Sequence, residues 1–301
     1  MTLLLVDSAS LWYRAYYGMP DTLVSPTGEP INAVKGFIDM TARLVNSYKP
    51  DRMALCLDGD WRPSWRVELF PDYKMNRVDD ADGDEVEPDL LTPQIPLILD
   101  FFEAAGIPLI GIDDYEADDV IATMAKREPG PTRIVTGDRD LFQLVDDKRD
   151  VYVAYLAKGI SNHDLVNLDW IAQKYNIPGD RYGLFAMIRG DASDGLPGIR
   201  GIGEKGAAEI ARNFANMDRV IDAAQNGDPK LPESLRKKIL ANIEYAQIAD
   251  RLVKCADDIR LPDFDLKIPN TPEKLKYLDE MKKDYGLGTS VDRLFDALKW
   301  R

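Results

Sequence analysis

The chain has 301 residues, 45% hydrophobic and 30% charged, a balance that excludes wholesale disorder and suits one large domain or two coupled ones. No apolar run approaches the ~18 residues of a membrane helix. The N-terminal Met-Thr-Leu-Leu-Leu-Val-Asp reads as a strand rather than a secretory leader, and Cys56 and Cys255 stand apart, without disulfide or metal-knuckle spacing. The net charge of −14 speaks at first against a polyanionic partner.

In chain order, the first half alternates short apolar runs with stretches of helical period. Leu3–Val6 reads as a buried strand, Asn32–Tyr48 as a helix and Arg52–Leu57 as a second strand. Pro108–Ile112 is a third strand, Asp118–Lys126 a helix, Arg133–Thr136 a fourth strand and Val151–Tyr155 a fifth. Strands alternating with helices indicate an α/β domain with a mainly parallel sheet. From about Leu165 helical patterns take over, at Leu168–Tyr175, Arg181–Ile188, Lys205–Phe214 and Pro232–Asp250. The organisation expected is an α/β core over 1–165 and a helical region over 166–301. His163, the single histidine, lies in the turn-rich Ser-Asn-His-Asp, so His-rich zinc sites are excluded. Val78–Pro88 is strongly acidic and reads as a solvated loop.

Carboxylates fall at the strand ends. Asp7 follows the first strand and Asp58 the second; Glu116, Asp118 and Asp119 follow the third, and Asp138 and Asp140 the fourth. In a parallel sheet the carboxyl ends share one edge, where ligands bind. Asp191 and Asp194 are two more candidates from the helical half. Any one of these reads alone as an N-cap or turn residue; the coincidence across four strands points to a site. Crowded carboxylates must be protonated, well solvated or bound to cations. Oxygen-only ligands select hard ions such as Mg²⁺ or Mn²⁺ over Zn²⁺. Two such ions ~3.5–4 Å apart activate water and stabilise the leaving oxygen in phosphodiester cleavage. Setting aside these nine carboxylates and the seven acidic residues between 79 and 89 turns −14 into +2, so a polyanionic substrate is not excluded.

Two further constellations concern binding. Gly198, Gly201 and Gly203, followed by Lys205, form a glycine hairpin at 196–205 between helical patterns. Such a helix–hairpin–helix-type (helix–three-turn–helix) element lets backbone amides and a helix N-terminus grip phosphates without reading sequence. Trp61, Arg62, Trp65 and Arg66 with Tyr73, Lys74 and Arg77 interleave aromatics and cations, which suits frayed or single-stranded nucleic acid. The plainer reading of that stretch is an amphipathic helix with a basic face.

Together these residues resemble the bacterial and phage 5′-nuclease (flap endonuclease) family, which includes the N-terminal 5′–3′ exonuclease domain of bacterial DNA polymerase I. The resemblance runs from Leu3 to about Leu298. It is carried by Val6-Asp-Ser, Tyr13-Arg-Ala-Tyr16, Gly28-Glu-Pro30, Glu68-Leu-Phe-Pro-Asp-Tyr-Lys74, Glu116-Ala-Asp-Asp119, Thr136-Gly-Asp-Arg-Asp140, Gly190-Asp-Ala-Ser-Asp194 and Pro197–Lys205. It implies a PIN-like fold with an arch at about 61–92. It implies a metal cluster of Asp7, Asp58, Glu116, Asp118, Asp119, Asp138, Asp140, Asp191 and Asp194, loaded with Mg²⁺ or Mn²⁺. Lys74 and Arg77 would act on the scissile phosphate beside Asp138, Tyr13 would stack on a base, and Arg14 and Arg66 would contact phosphates. The hairpin would hold duplex DNA and a monovalent cation, usually K⁺, through the carbonyls of Ile199 and Ile202.

The implied reaction is hydrolysis at a 5′ flap, nick or 5′ end, with RNA primer–DNA hybrids as further substrates, by a monomer in a bacterial cytosol or encoded by a phage. The implied setting is replication (Okazaki fragment processing) and repair. The acidic stretch Asp79–Asp89 departs from the family pattern, since it repels a phosphate backbone where the arch continues. Two other readings remain: a non-catalytic DNA junction-binding protein on the same scaffold, and a small-molecule phosphohydrolase using Asp138 and Asp140.

Overall fold

The computed structural model describes residues 1–78 and 85–300; Asp79, Asp80, Asp82 and Asp84 of the expected arch lie outside the described residues. Strand β1 (Leu3–Asp7) is buried at all five positions. Such an unbroken apolar run fits a strand covered on both faces. It leads into α1 (Ser8–Gly18), then α2 (Asn32–Tyr48), β2 (Arg52–Cys56), α3 (Ser64–Leu69), α4 (Gln94–Ala105), β3 (Leu109–Ile110), α5 (Ala117–Arg127), β4 (Thr132–Thr136), β5 (Val151–Tyr155) and β6 (Asp164–Val166). Helices follow: α6 (Leu168–Tyr175), α7 (Tyr182–Arg189), α8 (Glu204–Asn213), α9 (Met217–Asn226), α10 (Glu233–Ala241), α11 (Ile243–Val253), α12 (Leu275–Asp284) and α13 (Gly288–Leu298).

Among the described residues the sheet order is β3-β2-β1-β4-β5-β6, parallel throughout except for the antiparallel β5–β6 pair. Leu3 is registered against Arg52 on one side and Thr132 on the other. Chain order runs outward in both directions from β1, so the crevice opens where β1 and β4 part. Asp7 ends β1, and Asp138 lies two residues beyond β4. That placement puts the first carboxylates at the switch point of an α/β sheet.

One face of the sheet is covered by α1, α2 and α4, the other by α5 and the helices α6 to α11. The chain then returns: Leu278, Leu287, Val291, Leu294 and Trp300 of the last segment pack into the first core, and Arg293 pairs with Asp39 of α2 at 2.7 Å. Residues 275–300 therefore pack with the first half of the chain.

Several expectations are adjusted. The third strand shrinks to two residues, and the expected helix over 232–250 is two helices, broken where Asn242 leaves helical geometry. Strand β6 and helices α1, α4, α9, α12 and α13 are additions. No helix among the described residues is long and apolar enough to cross a membrane.

Candidate active site

Asp7 caps α1: its Oδ1 accepts from the Ser10 amide (3.2 Å), and its Oδ2 accepts from the Thr136 hydroxyl (2.6 Å). Thr136 also receives the Asp138 amide at 2.8 Å, so one hydroxyl ties the end of β1 to the turn after β4. Asp138 Oδ1 accepts from the Asp140 amide (2.8 Å), which folds that turn back on itself. Asp58, beyond β2, accepts from the Ala117 amide at the start of α5 (2.8 Å). These are turn and cap contacts of the ordinary kind. They also bring Asp7, Asp58, Asp138 and Asp140, with Asp118 of α5, near enough to one another for their charges to interact.

Burial pushes Asp7, Asp118 and Asp140 upward, and Asp138 adds repulsion to each. Burial pushes Asp58 up to about 7, with Lys74 opposing. Asp58 keeps one side open to solvent, which softens the effect. Burial raises Asp194 to about 6 against the pull of Lys74 and Arg77. Asp140 Oδ1 is buried with no hydrogen-bond partner. A buried carboxylate oxygen without a donor needs a proton or a cation. Among the described residues no three His, Cys, Asp or Glu side chains converge closely enough to enclose an ion unaided. The donor set fits a hard divalent ion.

Two expected ligands are turned elsewhere. Asp119 is fully buried, and its oxygens accept from both Arg66 terminal nitrogens (2.7 and 2.8 Å), the Ala256 amide (2.7 Å) and the Glu116 amide (3.2 Å). Its lone pairs are spoken for, so it braces the site rather than facing it. Arg66, expected on phosphates, is 3% exposed and lies beneath the cleft. It pairs with Asp119 and Glu116 and stacks on Trp65 at 4.3 Å, so it cannot reach a nucleic acid in this arrangement. Asp191 is held by Ser193 (2.5 and 2.9 Å) and faces Arg189 and Arg139 at 3.4 and 3.5 Å. It sits at the margin of the cluster.

Glu116 is shared. Its oxygens accept from the Tyr73 hydroxyl (2.9 and 3.0 Å), Lys74 Nζ and Arg66. Burial works against its charge, yet Lys74 and Arg66 hold it below the usual carboxylate range. Burial likewise opposes the Lys74 charge, while Glu116, Asp194 and Asp58 outweigh it, so the ammonium stays charged. Arg77 pairs with Asp194 and, at 3.5 Å, with Glu85.

An open cleft of about 780 Å³ runs from Asp58 past Tyr13 to Glu85, Glu87 and Asp89. A second, about 650 Å³, joins Tyr13 and Arg14 to Gly137 and Asp138. Tyr13 is half-buried at the junction of the two; burial, then Glu85 and Glu87, raise its hydroxyl pKa. The described part of the acidic stretch thus lines the cleft, with Glu85 and Glu87 half-buried and Asp89 exposed. In the hairpin, Gly198 (φ +60°) passes so close to Gly190 that a Cβ on it would lie 2.5 Å from the Ile188 carbonyl. Gly201 (φ +83°) leaves its carbonyl exposed to Lys238 Nζ at 2.6 Å. The Ile199 carbonyl accepts from the Ile202 amide at 2.9 Å. Lys205, in the first turn of α8, is exposed.

A family model described as the 5′-3′ exonuclease N-terminal resolvase-like domain matches residues 2–176, and one described as the 5′-3′ exonuclease C-terminal SAM fold matches 177–274. The chain belongs to the 5′-3′ exonuclease family and is a nuclease. It is 43% identical to a 5′-3′ exonuclease of Streptomyces coelicolor, over 98% of this chain and 99% of that one. It is 39% identical to one of Mycobacterium tuberculosis, over 98% and 97%. A bacteriophage T5 flap endonuclease in a pseudo-enzyme-product complex with DNA and metal ions superposes with a TM-score of 0.64, at 20% identity over 99% of this chain and 100% of that one. That last likeness speaks for the fold.

Three residues that shape the site were not legible in the sequence. Thr136 stood inside a motif read only for its aspartates. Tyr73 was grouped with stacking aromatics, whereas it is 3% exposed and serves Glu116. Gln143 gave no signal. Its side-chain nitrogen donates to the Asp140 and Val253 carbonyls (2.8 and 3.3 Å), and its oxygen accepts from the Cys255 amide (3.3 Å). It ties the end of α11 to the Asp138–Asp140 turn.

Proposed function

We propose that this chain is a metal-dependent, structure-specific nuclease that cuts DNA at 5′ flaps, nicks and 5′ ends in replication and repair. The observation that carries the reading is the gathering of Asp7, Asp118, Asp140 and Asp194 about Asp138, with Asp58 beside Asp7 and an unpartnered Asp140 oxygen inside the cluster. Bound Mg²⁺ or Mn²⁺ would supply a water of lowered pKa and neutralise charge on the phosphate. Asp7, Asp58, Asp118, Asp138, Asp140 and Asp194, with Glu116 at the edge, would hold the ions. Lys74 and Arg77 present positive charge to the scissile phosphate as its charge grows in the transition state. Tyr13 offers a ring at the cleft junction to an unpaired base, and Arg14 offers its guanidinium to the adjoining phosphate. Residues 1–165 supply most of the chemistry, and Asp194 joins it from the helical region. The helical region from 166, with its hairpin, grips duplex backbone through Gly198, Gly201, Gly203 and Lys205. A K⁺ ion on the Ile199 and Ile202 carbonyls belongs to the same reading, as do RNA primer–DNA hybrids as substrates, a monomeric state and a cytoplasmic location.

One assay tests the core of this. Labelled flap, nicked and single-stranded DNA are incubated with Mg²⁺, with Mn²⁺ and with EDTA. Junction-directed products in either metal and none in EDTA are expected. Undiminished cleavage in EDTA overturns the metal reading, and tight junction binding without product in any metal favours a non-catalytic binder.

A further inference from the structure

We propose that Arg66 is a positioning residue that fixes the Lys74 ammonium in the cleft through Glu116. The inference rests on Lys74 being the partner of the scissile phosphate. A line of alternating charge runs from the interior to the cleft: Asp119, Arg66, Glu116, Lys74. Each link is made by named atoms. The Arg66 fork is bidentate on Asp119 at 2.7 and 2.8 Å, and the same Nη1 also donates to Glu116 Oε2. The opposite oxygen, Glu116 Oε1, receives Lys74 Nζ.

The interior end of this line is immobile. Asp119 bonds the Ala256 amide and the Glu116 amide as well as Arg66, so α3, the start of α5 and the segment after α11 all meet there. Arg66 is further clamped by Trp65, 4.3 Å below its guanidinium. A planar guanidinium can span two carboxylates at once; a lysine ammonium, a point donor on a flexible stem, cannot fix both orientations. Arg66 on Oε2, with the Tyr73 hydroxyl against both oxygens, keeps Glu116 from rotating, so Oε1 stays where Lys74 meets it. The Lys74 backbone is set separately. It sits at φ +51° with its amide on the Asp194 carbonyl (2.9 Å), and its Nζ also donates to the Trp61 carbonyl (3.1 Å). The far end of its side chain thus has two anchors, and Glu116 is the charged one. Displacing a positioned charge by an ångström costs as much as ~10²-fold in rate without touching the substrate.

The test is a double-mutant cycle on the full chain, read by single-turnover flap cleavage, with junction affinity in EDTA and thermal melting measured alongside. Arg66→Lys keeps a cation against Asp119 and loses the fork. It is expected to slow cleavage about 10-fold or more and to leave affinity in EDTA within about 2-fold. In a Lys74→Ala background the same change is expected to cost less than about 2-fold, because its effect travels through a side chain already removed. A parental rate in Arg66→Lys, or a second full loss in the Lys74→Ala background, overturns the inference. A Lys74→Ala protein that cleaves at the parental rate overturns the reading of Lys74 itself, and that is seen in the single variant alone. Should Arg66→Lys melt before assay temperature, Arg66→Met combined with Asp119→Asn leaves no unpaired charge at Asp119 and takes its place in the cycle, with the same expected and overturning outcomes.

Discussion

Asp138 stands where the repulsions of the cleft meet: Asp7, Asp118, Asp140 and Asp194 are each raised in part by its charge. Asp138→Asn keeps an oxygen for the Asp140 amide and removes that charge. Cleavage is expected to vanish while junction binding in EDTA stays within about 3-fold, since the duplex contacts lie elsewhere. The metal-free variant is expected to melt about 2 °C or more above the parent, because a buried like-charge neighbour is gone. Equal losses of rate and affinity would instead make Asp138 a structural residue. The strand-end carboxylates were legible because chemistry and position coincide: an aspartate just after a buried apolar run must lie at the sheet edge. Arg66 and Asp119 were not legible. On α3, six residues long, spacing alone does not say which face turns inward. A basic residue between Trp65 and Val67 reads as solvent-facing until a buried carboxylate is seen opposite it.

The hairpin shows why glycine placement could be read from sequence while its reasons could not. Gly190 and Gly198 sit eight residues apart and each faces the other's backbone: a Cβ on Gly190 would lie 2.5 Å from the Gly198 amide nitrogen. Gly198→Ala is therefore expected to destabilise the fold by about 2 kcal/mol or more, read as a lower urea midpoint at unchanged slope. A Cβ on Gly201 would meet only the flexible Lys238 stem, at an ordinary 3.5 Å, but the residue sits at φ +83°, so Gly201→Val strains the turn. It is expected to weaken binding to every duplex sequence alike. Lys205→Ala is expected to do the same and to lower the log–log salt slope by about 0.9, the share of one phosphate contact. A variant that changed preference between two duplex sequences would show the hairpin reading bases. The helices α2 and α6 coincide with the residues expected for them, since their apolar stripes are regular. The break between α10 and α11 escaped because Asn242 interrupts the backbone without interrupting the hydrophobic pattern.

Taken as a whole, the molecule concentrates its acid where its stability depends on something else binding. Asp58 is raised to about 7 and Asp194 to about 6, and burial drives Asp7, Asp118 and Asp140 upward as well. In the unfolded chain these groups ionise near 3.8. The folded state therefore holds protons that the unfolded state has released, from about pH 4 to about pH 7. A raised carboxylate adds stability that is fully present below the unfolded value and is lost as pH rises through the folded one, the reverse of an aspartate held down by a salt bridge. Glu116 and Asp191, which are lowered, work in the ordinary sense, and their contribution fades only toward stronger acid. The metal-free protein is accordingly expected to melt higher at about pH 5.5 than at about pH 8. Millimolar Mg²⁺ binds the folded state only and competes with those protons, so it is expected to raise the melting temperature strongly at about pH 8 and weakly at about pH 5.5. Melting curves at the two pH values, each with EDTA and with Mg²⁺, decide it. A melting temperature in EDTA that holds level or climbs toward about pH 8 would mean that these carboxylates are ionised without strain in the free protein, and that the cluster needs no cation to stay folded.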